Sequence, residues 1–108
     1  MKLILAIVNN DDAHSVSSGL SKEGFGVTKI SSTGGFLMSG NSTFLIGVED
    51  ADADRAMDVI AKYSRKREQT VPFDVAQNGT IGHYVPTGKV TVGGATVFVL
   101  NVEECRHL

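Results

Sequence analysis

Cysteine occurs once in this chain, at Cys105. That excludes a disulfide framework within one chain and suits a reducing cytoplasm. Neither sign of charge dominates. Ten basic against twelve acidic residues leave a formal net charge of −2. This gives no general pull toward nucleic acid, so an anionic ligand must be held by local dipoles or a few cations. No apolar run reaches the ~18 residues of a membrane span. The opening MKLILAIVNNDD turns acidic too soon for a secretory signal, and no small-residue cleavage site follows. Common catalytic signatures are also missing: there is no GxxxxGK(S/T), no GxGxxG and no HExxH. His14, His83 and His107 are scattered, and no nucleophile is paired with a base. The expectation is a cytoplasmic ligand-binding protein, not an enzyme, with no cofactor.

What is present describes an ordinary globular chain. It has 108 residues, 42% hydrophobic and 20% charged, which predicts a single domain over residues 1–108. Lys2 to Val8 (KLILAIV) reads as a strand buried on both faces. Ala13, Val16 and Leu20 then follow at helical spacing, with Asp11 or Asp12 as the expected cap and Gly24 as the stop. Phe25 to Ser31 (FGVTKIS) alternates until Ile30 breaks the parity, which predicts a bulge or a twist there. Thr43 to Val48 (TFLIGV) is a second apolar strand, in which Gly47 marks either a close approach or a bulge.

Four acids between Glu49 and Asp54 complement the dipole of a second helix carrying Ala53, Met57, Ile60 and Ser64. With no His or Cys nearby, they do not predict a metal site. Arg65-Lys66-Arg67 is expected to close that helix. Glu68 to Gly88 shows no period and holds both prolines, Pro72 and Pro86. An unpatterned stretch of that length inside a small domain is often functional, and Asn78-Gly79 suggests a small hairpin between Phe73–Ala76 and Ile81–Val85. Lys89 to Val102 is strongly β, with Gly93-Gly94 as either a tight hairpin turn or a bulge that re-aims the strand. The order strand–helix–strand–strand–helix–loop–strand is the ferredoxin-like βαββαβ plan of an α+β domain, an antiparallel sheet with two helices on one face. Two helices cannot cover both sides of such apolar strands. Burial against other subunits is therefore expected, in a closed oligomer.

The candidate site is a set of glycine corners. Ser32 to Phe44 (STGGFLMSGNSTF) holds Gly34-Gly35 and Gly40-Asn41 around Phe36 and Leu37. Phe36 either folds back onto the core or offers a platform for a flat base, where stacking contributes ~1–3 kcal/mol per base. The Asn41 amide donates and accepts in one plane, as reading an adenine edge requires. Thr28 can offer a hydroxyl to a phosphate, and amides at Gly93-Gly94-Ala95 can take phosphate oxygens without net positive charge. The combination points to a nucleotide bound without metal chemistry.

Thr28 to Val48 (TKISSTGGFLMSGNSTFLIGV), Val92 to Leu100 (VGGATVFVL) and the opening MKLILAIV resemble the cyclic di-AMP receptor family of PII-like signal transduction proteins. The resemblance runs collinearly over nearly the whole chain. It implies a ferredoxin-like homotrimer with a site in each cleft between neighbouring subunits. It also implies binding of cyclic di-AMP without catalysis, and a downstream protein partner. The ligand-binding positions it implies are Thr28, Gly35, Phe36, Leu37, Asn41, Gly47, Gly93, Gly94 and Ala95. Gly26 departs from the family's pattern, where relatives often carry a long basic side chain able to lie over a base. A PII-like sensor of another adenine nucleotide and a trimeric scaffold without a small-molecule ligand are the alternative readings.

Overall fold

The computed structural model describes residues 1–30, 40–72 and 87–108. The apolar opening run forms β1 (Lys2–Asn9), followed by α1 (Asn10–Lys22), β2 (Val27–Ile30) and β3 (Asn41–Val48). A short 3-10 turn, Asp50–Asp52, leads into α2 (Ala53–Tyr63), and β4 (Arg67–Pro72), β5 (Thr87–Val92) and β6 (Ala95–Asn101) complete the order. Four strands make one sheet in the order β2-β3-β1-β6, with every neighbouring pair antiparallel. This is the sheet of the ferredoxin-like plan, with β6 as its last strand. The extra pair, β4 and β5, forms a separate two-stranded antiparallel ribbon.

Strand parity sorts the side chains. Ile4, Ala6 and Val8 of β1 and Phe44, Ile46 and Val48 of β3 are buried beneath the helices, against Val16 and Leu20 of α1 and Ala56, Val59 and Ile60 of α2. Gly19 is buried where the helices meet, and a Cβ there would collide with the Tyr63 ring. The absence of a side chain is what lets α1 and α2 approach. Asn9 caps α1, its side chain accepting from the Asp11 N–H at 2.8 Å. Asp11 and Asp12 therefore sit in the first turn and are not caps; Gly24, at φ +87°, does turn the chain out of the helix.

The opposite sheet face is also apolar. Leu5 lies between Leu45 and Phe98, and Leu3 between Gly47 and Leu100. Phe98 is 53% exposed and Leu100 48%. Among the described residues, no helix packs on this side. The parity break at Ile30 follows from this second apolar face. β2 pairs regularly with β3, Val27 opposite Ile46 and Ile30 opposite Thr43, with no bulge. Val27 faces the helices and Ile30 the other side. Gly47 likewise sits in unbroken register opposite Leu3, and its close neighbour is the Met1 methyl, 3.1 Å from where a Cβ would lie.

Three further expectations are corrected. α2 ends at Tyr63, so Arg65 and Lys66 follow the helix and Arg67 opens β4. The unpatterned stretch starts later than Glu68, because Arg67–Pro72 pairs with Thr87–Val92, from Arg67 opposite Val92 to Pro72 opposite Thr87. Gly93-Gly94 is not a hairpin turn: β5 pairs with β4 and β6 with β1, so the two glycines carry the chain from one sheet to the other. The suggested hairpin arms Phe73–Ala76 and Ile81–Val85 lie outside the described residues.

Candidate functional site

The end of the sheet where β1 and β3 meet the sheet-switching corner borders an open cavity of about 390 Å³. Asn9 and Asn41, paired across β1 and β3, form part of its wall. Ile7 and Thr96, paired across β1 and β6, add a second row. Gly93, Gly94, Ala95 and Lys66 supply the side toward the ribbon.

Local backbone ties hold each part in place. Gly40 enters β3 at φ +94°, a conformation open to glycine at little cost. Its carbonyl accepts from the Asn10 N–H at 2.8 Å, and Ser42 Oγ donates to Asn10 Oδ1 at 2.5 Å. The start of β3, and Asn41 with it, is thereby fastened to the start of α1. On the other side, Gly93 and Gly94 take φ +84° and +79°. A Cβ at Gly93 would strike the Arg65 carbonyl oxygen, and one at Gly94 would lie 3.0 Å from Lys66 Cγ. The Gly94 N–H donates to the Ser64 carbonyl, closing the corner against the end of α2.

This last bond changes the reading of the corner. The Gly94 amide is thus bonded within the chain. The paired glycines also provide room and a change of direction. Beside them, Arg67 reaches the Asp12 carboxylate through both nitrogens, at 3.0 and 3.3 Å, and donates to the Arg65 carbonyl at 3.1 Å. The Asp12 side chain is 9% exposed. The pairing is bidentate, the arrangement in which an arginine holds a carboxylate most firmly.

Of the residues expected at the site, Asn41, Gly93, Gly94 and Ala95 are brought together around the cavity. Thr28 lies opposite Leu45 on β2, exposed, and Gly47 lies opposite Leu3. Neither lines the cavity, and Gly47 is six residues from Asn41 along β3, or about 20 Å at strand rise. Parity nevertheless places Thr28, Asn41 and Gly47 on one sheet face, the face without helices. Gly35, Phe36 and Leu37 lie outside the described residues. Sequence reasoning missed Asn9 and Lys66. Asn9 was read as turn chemistry; its pairing with Asn41 depends on sheet register. Lys66 was read as part of a helix end, and its only sequence signal is a base three residues after a helix. Among the described residues, no group of three or more His, Cys, Asp or Glu side chains is placed to hold a metal ion.

The model of a family described as cyclic-di-AMP receptor matches residues 1–108. The chain is also similar to a solved structure, the crystal structure of a functionally unknown protein from Pediococcus pentosaceus. The two are 37% identical with a TM-score of 0.74, the likeness covering 99% of this chain and 96% of that one.

Proposed function

Because this chain belongs to the cyclic-di-AMP receptor family, we propose that it is a PII-like signalling receptor, a homotrimer that binds cyclic di-AMP in the clefts between its subunits. It acts as a single domain in the cytoplasm and performs no chemistry. The observation that carries this reading is the convergence of Asn41 with Gly93, Gly94 and Ala95 around one cavity, at the rim of an apolar sheet face that no helix among the described residues covers. A neighbouring copy set against Leu3, Leu5, Phe98 and Leu100 would remove that face from water, contributing ~25 cal/mol for each Å² of apolar surface covered. It would also bring a second wall to a cavity that one chain leaves open. Thr28 and Gly47, on the same face but distant from Asn41, then serve the site from the neighbouring subunit or its flank.

The signal leaves through the ribbon. β4 and β5 join the body at Arg67 and at Gly93-Gly94, and both joints border the cavity or lie one residue from it. A ligand there shifts the ribbon only by binding its two arrangements unequally, and the shifted ribbon presents a changed surface to a partner protein. Calorimetric titration with cyclic di-AMP, cyclic di-GMP and ATP tests the reading, with light scattering for mass. Heat with cyclic di-AMP alone, from a particle of three chains, is expected. Heat with ATP instead would make the protein a sensor of another adenine nucleotide, and no heat with any of the three would leave an interaction scaffold.

A further inference from the structure

A cyclic dinucleotide brings two negatively charged phosphodiesters to a protein whose own net charge is −2. Something at the site has to offset that charge, and the corner glycines do so less than their sequence suggests, since the Gly94 N–H is already bonded to Ser64. Among the described residues around the cavity, one carries a charge: Lys66. Its neighbours in the basic run are disposed differently. Arg67 is held by Asp12, and Arg65 lines other hollows, not this one. The stem of Lys66 runs along Gly94, its Cγ, Cε and Cδ lying 3.0, 3.2 and 3.7 Å from where a Cβ would be. A side chain at position 94 would displace that stem, so the glycine sets the path of the lysine.

We infer that Lys66 is the cation that holds a phosphate of the bound dinucleotide, steered along the sheet-switching corner by the bare backbone of Gly94. This rests on the receptor reading above and adds to it a residue that fixes preference for an anionic ligand. An ammonium on a flexible stem acts as a point charge, so its attraction to a partly exposed phosphate falls as salt screens it. The loss of one charge-assisted hydrogen bond corresponds to about a tenfold change in affinity.

The test is calorimetric titration with cyclic di-AMP at low and high salt, on the unmodified protein, Lys66→Met and Lys66→Arg. Methionine keeps an apolar stem beside Gly94 and removes the charge. Lys66→Met is expected to bind about tenfold more weakly at low salt, with the gap closing at high salt, and Lys66→Arg to recover most of the loss. Equal affinity of Lys66→Met and the unmodified protein at low salt would overturn the assignment while leaving the receptor reading intact. So would a loss that is the same at both salts and not recovered by arginine, because it would mark a packing role. No heat from the unmodified protein overturns the receptor reading and the assignment together. Unchanged melting temperatures of both variants would show that the comparison is between folded proteins.

Discussion

The body of this protein and its ribbon are held by different physics. In the body, two helices bury one side of a four-stranded sheet, and Ile4, Val16, Leu20 and Ile46 are wholly excluded from water. That interaction is distributed over many side chains and has little dependence on direction. The ribbon is a two-stranded pair, an arrangement only marginally stable alone in water, and its junction depends on a few directional contacts: Arg67 with Asp12, and Gly94 with Ser64. A distributed apolar core resists a ligand's influence, whereas a joint made of three or four polar groups can be biased by one. The cavity lies at the joint.

Three substitutions probe that contrast, from the largest expected effect on stability to the smallest. Ile46→Ala removes a fully buried side chain from the core and is expected to cost ~2–5 kcal/mol, read as a large fall in the urea midpoint. A loss below 1 kcal/mol would mean that the body is more adaptable than its packing indicates. Asp12→Asn keeps the shape but removes the charge opposite Arg67. With Arg67 itself 45% exposed, the expected loss is modest, ~1–2 kcal/mol. Its signature is local: amide exchange accelerates in β4 and is unchanged in β1. Equal acceleration in both would merge the ribbon and the body into one cooperative unit. Asn41→Ala touches an exposed side chain and is expected to leave stability within ~0.5 kcal/mol while weakening cyclic di-AMP binding about tenfold. Unchanged affinity would take Asn41 out of the adenine-reading role.

The same contrast governs what the sequence made legible. The body wrote itself into the pattern, because burial imposes periods: the apolar runs of β1 and β3, and the three-and-four spacing of Ala13, Val16 and Leu20. The ribbon left no such imprint. Arg67 and Glu68, which open β4, are both exposed, so burial imposes no alternation on them. Arg67 was mistaken for a helix end because its partner Asp12 is 55 residues away, beyond any local signal. Gly93-Gly94 announced a change of direction correctly, but whether two strands fold back on each other or part into separate sheets depends on pairing partners that lie elsewhere in the chain. Asn41 and the Gly93–Ala95 corner stood out as candidates from residue type. That they line one cavity, together with Lys66, depended on the register of β1 with β3 and β6.

The Gly94 bond to Ser64 closes the neck of an excursion that leaves the body after α2 and returns at β6. With the two ends already joined, the length of chain beyond the neck has little influence on the body. Doubling such a loop adds only ~0.6 kcal/mol of closure entropy. The neck is therefore a natural graft point: a foreign hairpin or a reporter peptide could replace the far end of the ribbon while the sheet, the helices and the cavity keep their register.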